Sequence, residues 1–188
     1  MVKKLSIENA LEPFLGRPGE SIHLASVARE INQPYPTVRL WLNELAARGI
    51  LGKKFVGRLT TYHLNLGHPN LIDYLLVAEQ RRLIRKCTDD LLMREAVKLL
   101  RQALPENAPI VIFGSATVSF KKANDVDLLV AAKIKEPSIN EISGTINKKI
   151  HLINVTSLDG VSRPLKGEIV KHHAIINGHY GVLRWMLS

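Results

Sequence analysis

Asp125 and Asp127 stand two residues apart in Asn124-Asp125-Val126-Asp127-Leu128-Leu129-Val130, a run whose branched apolar residues predict a strand. Side chains alternate along a strand, so both carboxylates leave the same face. Paired carboxylates of this kind hold hard divalent cations, Mg2+ or Mn2+, which bridge phosphate oxygens. Upstream, Pro109-Ile110-Val111-Ile112-Phe113 predicts a second, strongly apolar strand that runs directly into Gly114-Ser115. A glycine there lets the backbone approach phosphate oxygens, and the Ser115 hydroxyl with nearby N–H groups can bind them. Taken singly, Gly-Ser and Asp-x-Asp also suit a tight turn and a carboxylate pair at a strand end.

Other elements must hold these residues in place. Residues 89–104 predict an amphipathic helix with Leu92, Ala96, Leu99 and Leu100 inward, stopped by Pro105. Ile150-His151-Leu152-Ile153-Asn154-Val155 predicts a later strand. Residues 165–176 predict a helix ended by Asn177-Gly178, and residues 180–187 an apolar tail that docks on the same core. His172, His173 and His179 do not read as a metal site, because adjacent histidines diverge on a helix and no acid joins them.

Phe113-Gly114-Ser115, followed by Asp125-Val126-Asp127-Leu128 between apolar strands, resembles the nucleotidyltransferase superfamily that includes DNA polymerase beta. Within it, the similarity is to the minimal nucleotidyltransferases, over residues 88–155. The resemblance implies that Asp125 and Asp127 are catalytic and bind Mg2+ or Mn2+. It further implies that Gly114 and Ser115 bind a nucleoside triphosphate, as substrate or ligand. Two metal ions would activate a hydroxyl acceptor and stabilise the leaving pyrophosphate. The family also takes a third carboxylate from a later strand. Here that strand has no acid, and His151 or Asn154 falls in the neighbourhood. The loop after Ser115 departs as well, reading Ala116-Thr117-Val118-Ser119-Phe120-Lys121-Lys122 instead of being rich in arginine and glycine.

The first third of the chain reads differently. Apolar spacing predicts helices over residues 6–14, 24–31 and from 36 or 37 to 48, with a short extended segment at Ser21-Ile22-His23. Asn32-Gln33-Pro34 is a turn, Gly49 suits a left-handed helix end, and two strands flank Gly57-Arg58 as a hairpin. The stretches Leu24-Ala25-Ser26-Val27-Ala28-Arg29-Glu30-Ile31, Thr37 to Leu45 and Gly49-Ile50-Leu51 resemble a winged helix-turn-helix domain over residues 5–65. The resemblance implies binding of double-stranded DNA, the third helix entering a major groove about 12 Å wide. Its exposed face would carry Gln33, Tyr35, Thr37, Arg39, Leu40 and Asn43, with Lys53, Lys54 and Arg58 along the backbone. Trp41 reads as a core or interface residue. A protein-interaction or dimerisation module has the same pattern.

The expected fold class is α+β. Residues 1–66 form the winged helix-turn-helix domain, residues 67–87 a connector helix, and residues 88–188 a small mixed-sheet nucleotidyltransferase-like domain. The basic run at the connector's end, Gln80 to Lys86, complements the helix dipole. Composition fits a globular protein: 188 residues, 46% hydrophobic. The net charge of +9 suits a polyanionic partner or simply solubility, and it is spread along the chain. Cys87 is the only cysteine, which excludes an internal disulfide framework and reads as packing. No apolar run approaches the roughly 18 residues of a membrane span. The N-terminus lacks a secretory pattern, so the expected place is the cytoplasm without membrane association.

Two functions follow. One is a DNA-binding regulator, a homodimer on palindromic half-sites, whose second domain binds a nucleotide or partner and has lost its chemistry. The other is an active metal-dependent transferase of nucleoside monophosphate to a nucleic acid or a protein, as in antitoxins that modify HEPN-type toxins.

Overall fold

The fold is α+β, with a three-stranded sheet in the first part of the chain and a four-stranded sheet in the second. The computed structural model describes residues 6–57, 59–134 and 136–188. Contacts divide the chain into two units, one up to Arg81 and the other from Arg82 to Met186.

In the first unit a 3-10 turn, Ile7–Leu11, leads into α1 (Glu12–Leu15). Sequence periodicity predicts one helix over residues 6–14. Pro13 explains the difference, because it has no N–H to give to the carbonyl of Asn9. The Glu12 N–H takes that carbonyl instead, in the tighter 3-10 pattern. Next come β1 (Ile22–His23), α2 (Leu24–Glu30), α3 (Tyr35–Ala47), β2 (Leu51–Val56) and β3 (Leu59–Leu64). The sheet order is β1-β3-β2, all antiparallel. Val27, Val38, Leu42, Leu45, Ile50 and Phe14 are fully buried and form the core under both helices. Asn32 takes a positive φ of 50° between α2 and α3, and Gly49 a φ of 77° after α3. The turn between the two helices and the exit into β2 rest on these two residues. The 19-residue α4 (Leu71–Asp89) begins in this unit.

The second unit holds α5 (Leu91–Ala103), β4 (Ile110–Phe113), β5 (Asp125–Ala131), α6 (Glu136–Ile146) and β6 (Lys149–Val155). It continues with α7 (Arg163–Lys171), β7 (His173–Asn177) and α8 (His179–Leu187). The sheet order is β6-β5-β4-β7, with β5 and β6 parallel and the other pairs antiparallel. A crossover through α6 makes the parallel pair, as a parallel connection requires. Ile110, Ile112, Leu128 and Val130 are fully buried at the sheet centre.

Two expectations fail here. The helix predicted over residues 165–176 is α7 followed by a strand, and Ala174, Ile175 and Ile176 lie buried in β7 beside β4. A short apolar run reads as helix or strand equally well. The open edge of β4 decides, since its backbone groups need an antiparallel partner. In α5 the buried stripe is Met93, Ala96, Val97 and Leu100, whereas Leu92 is exposed and Leu99 only half-buried. Packing on α6 and β7 selects that face, while Asp90 caps the helix, accepting from the N–H groups of Leu92 (3.0 Å) and Met93 (3.1 Å). The tail over residues 180–187 is the helix α8, which buries Val182, Leu183 and Met186.

Candidate functional site

β4 and β5 pair so that Phe113 stands opposite Asp127. The residue after Phe113 is therefore delivered beside the Asp127 side chain. That residue is Gly114, with φ 71°, a conformation side chains resist. A Cβ built on it would lie 2.6 Å from Asp127 Oδ2. Glycine is needed twice here, for the backbone bend and for room under the carboxylate. The Gly114 N–H donates to the carbonyl of His172 (3.0 Å), which anchors the turn to the junction between α7 and β7. A 3-10 turn over Gly114–Thr117 follows, held by the Thr117 hydroxyl donating to the Gly114 carbonyl (2.8 Å). Ser115 is exposed on this turn.

Asp125 and Asp127 are half-exposed on one face of β5, and both meet the same side chain. His151, paired in register with Asp127 across β5 and β6, places Nδ1 3.5 Å from Asp125 Oδ2 and 3.5 Å from Asp127 Oδ1. Of the two β6 residues singled out from the sequence, His151 is the one that faces the aspartates. Asn154 is committed elsewhere, donating to the carbonyls of Val130 (3.0 Å) and Ala132 (2.8 Å).

The donors available are two exposed carboxylates and one imidazole. Among the described residues, no group of three His, Cys, Asp or Glu side chains is drawn together to hold a metal ion as it stands. The carboxylate pair fits a single Mg2+ or Mn2+ by donor chemistry, and the missing Cβ of Gly114 leaves the room that the Asp127 carboxylate occupies.

The loop after Ser115 is tied down by its lysine neighbours and by α5. Lys148 donates to the carbonyls of Ala123 and Lys121 (the latter at 3.4 Å) and lies 5.9 Å from the Phe120 ring. The Lys121 N–H donates to Asp90 (3.0 Å), while its side chain and that of Lys122 face solvent. A cavity of about 360 Å³ opens beside this loop, lined by Thr117, Ser119 and Phe120 and by Arg82, Arg85 and Lys86. Lys86 also donates to the Thr117 carbonyl. Sequence reasoning assigned these cations to the helix dipole alone. Their i, i+3, i+4 spacing on α4 was the signal that they share one face.

Cys87 is half-buried, and burial pushes its thiol above the ordinary value, against the pull of Arg101 and Arg94. A raised thiol packs and does not attack, as the sequence reading has it.

In the first unit Tyr35, Arg39 and Leu40 are exposed on α3, and Gln33, Thr37 and Trp41 are half-buried. Gln33 donates to the carbonyl of Asn32 (2.8 Å) and belongs to the turn. Asn43 is bound within the unit: its Oδ1 accepts from Lys53 Nζ (2.9 Å) and from the Tyr62 hydroxyl (2.8 Å). Lys53 also lies over the Tyr62 and Phe55 rings, at 5.9 and 5.4 Å. Asn43 and Lys53 thus join α3 to the hairpin, while Lys54 is exposed on β2. Burial, then Tyr35, push the Tyr62 phenol up against the pull of Arg39, so it stays a neutral donor. Arg58 lies outside the described residues.

No family model matches the chain, and no curated protein matches it. Among the described residues, no helix is long and apolar enough to cross a membrane. Solved structures similar to the chain include a toxin–antitoxin structure with AMP-PNP, at 20% identity and a TM-score of 0.37. Another is a mutant of the toxin–antitoxin MntA–HpeT, at 17% identity and a TM-score of 0.36. Each match covers 50% of this chain and 82% of the solved one, and at that degree of likeness neither assigns a function.

Proposed function

We propose that the second unit binds a nucleoside triphosphate and transfers its nucleoside monophosphate to a hydroxyl acceptor. One observation carries the reading: Gly114 bends with a positive φ directly under the Asp127 carboxylate, next to an exposed Ser115. A tight turn alone requires the φ but not a carboxylate packed where Cβ would stand. The turn's N–H groups and the Ser115 hydroxyl bind phosphate oxygens. Asp125 and Asp127 hold a divalent cation, which when bound neutralises charge on the triphosphate. The acceptor oxygen bonds to the α-phosphorus, the bond to pyrophosphate breaks, and the hydroxyl proton leaves to solvent. The minimal nucleotidyltransferases this motif resembles include antitoxins of HEPN-type toxins, so a toxin-like protein is the first acceptor to test, before nucleic acid.

The test uses purified protein, α-labelled ATP, CTP, GTP and UTP, Mg2+ or Mn2+, and extract of the source cells. Wild type labels a macromolecule, and Asp125→Ala with Asp127→Ala removes the label entirely. A folded wild type that neither labels anything nor binds any of the four nucleotides refutes the reading.

A second reading concerns the first unit, and the order β1, α2, α3, hairpin with Arg39 and Tyr35 exposed on α3 favours it. Here the unit is a winged helix-turn-helix that docks α3 on duplex DNA, with Lys54 toward the backbone. Arg39→Ala is expected to weaken duplex binding and to reduce the slope of log affinity against log salt by about 1. Titration of a fluorescent duplex at several salt concentrations reads both. An affinity indifferent to salt would rule out docking on phosphates and leave a protein-binding or dimerising surface.

A further inference from the structure

We infer that His151 is a metal ligand which, with Asp125 and Asp127, makes the site select a first-row transition dication such as Mn2+ over Mg2+. The inference rests on the transferase reading of this site and goes beyond it by assigning a residue and an ion class.

The geometry is the first support. Nδ1 of His151 stands at the same 3.5 Å from an oxygen of each aspartate. Both contacts are long for an N–H···O bond, whose usual length is about 2.9 Å. Two ligands bonded at about 2.1 Å to one ion lie about 3.4 Å apart in a tetrahedral shell and about 3.0 Å apart in an octahedral one. The observed spacing is wider than either, so the three side chains stand within reach of a shared ion and must close by a few tenths of an ångström to bind it.

The second support is freedom to close. Side-chain exposures are 39% for Asp125, 34% for Asp127 and 44% for His151, so drawing the carboxylates together rotates exposed groups and opens no core. The backbone beneath is paired on both sides: Asp127 and His151 are register partners in a parallel pair, and Asp127 also faces Phe113 of β4.

The third support is ligand chemistry. Mg2+ wants oxygen donors in octahedral geometry and keeps its waters. Imidazole nitrogen suits ions further along the first transition row. A third carboxylate would favour Mg2+ through charge and oxygen. An imidazole in that place reduces the negative charge and supplies nitrogen, which weakens Mg2+ more than Mn2+.

The test reads the metal and not the turnover. Mn2+ is titrated into the full-length protein, alone and with a non-hydrolysable triphosphate, and followed by electron paramagnetic resonance. Pulsed measurements then report whether a nitrogen is directly bound. Wild type is expected to show nitrogen coupling, and His151→Ala to lose it together with about tenfold or more of Mn2+ affinity. His151→Glu is expected to bind Mn2+ without nitrogen coupling and to let Mg2+ displace it at least about tenfold more readily than in wild type. Circular dichroism checks the fold of each variant, and His151 is exposed enough that both should keep it. Mn2+ bound in wild type without nitrogen coupling overturns the inference and leaves the transferase reading standing, as does equal displacement by Mg2+ in wild type and His151→Glu. Absence of Mn2+ binding under both conditions overturns the inference, and absence of triphosphate binding as well overturns the transferase reading with it.

Discussion

Gly114→Ala is expected to leave the protein folded and to lower nucleoside monophosphate transfer by about 100-fold, the loss that a misplacement on the order of 1 Å near the chemistry produces. Two costs act at this residue and fall on different observables. Holding alanine at φ 71° costs roughly 1–2 kcal/mol, which appears as a fall in thermal midpoint of several degrees. The added Cβ meets Asp127 Oδ2 at 2.6 Å. A carboxylate at the end of a side chain can swing aside, so this clash is relieved cheaply in stability. The relief removes Asp127 from its place beside the turn, and that is where transfer is lost. A labelling assay at a temperature where both proteins are folded separates the two effects. Transfer within a few-fold of wild type in Gly114→Ala would show that the position of Asp127 over the turn does not matter.

Gly178→Ala carries the largest expected loss of stability, about 2–4 kcal/mol, summing a left-handed residue and an overpacked contact. Gly178 has φ 69° at the junction of β7 and α8. A Cβ there would lie 2.8 Å from the Cα of Pro109 and 3.1 Å from its nitrogen. Both atoms are backbone at the entry to β4, so the clash is relieved only by moving a strand, in contrast to the mobile carboxylate at Gly114. Urea unfolding should show a lower midpoint with an unchanged slope. Gly167 is the control, because it is an exposed position in α7 with open space around its Cα. Alanine there is expected to cost nothing or to stabilise by up to about 1 kcal/mol. A Gly178→Ala protein as stable as wild type would mean that β4 and the start of α8 can separate freely.

Much of the candidate site was legible in the sequence because its signals are local. Glycine after an apolar strand, serine next to it and aspartates at period two are each set by a few neighbouring residues. The order α2, turn, α3 and hairpin in the first unit was legible for the same reason, Gly49 and the Asn32 turn marking the bends. Where a face had to be chosen, the signal thinned. The stripe of α5 was decided by what it packs against, α6 and β7, which took Met93 in and left Leu92 out. Asn43 and Lys53 read in the sequence as separate exposed groups, and only the structure shows that they meet each other between α3 and β2.

What the sequence by itself determined was the set of groups able to do chemistry and the strand and turn that carry them. Tertiary structure decided who meets whom. Residues 173–177 became a strand because β4 had an unpaired edge, a demand invisible within the segment. His151, and not Asn154, faces the aspartates because the parallel register pairs it with Asp127. That register is set through α6, by the length of the crossover and the packing of both strands on one core. Arg82, Arg85 and Lys86 line a cavity with the loop after Ser115 for a similar reason. Helical spacing put them on one face, and only the packing of that helix beside the loop gave the face something to meet.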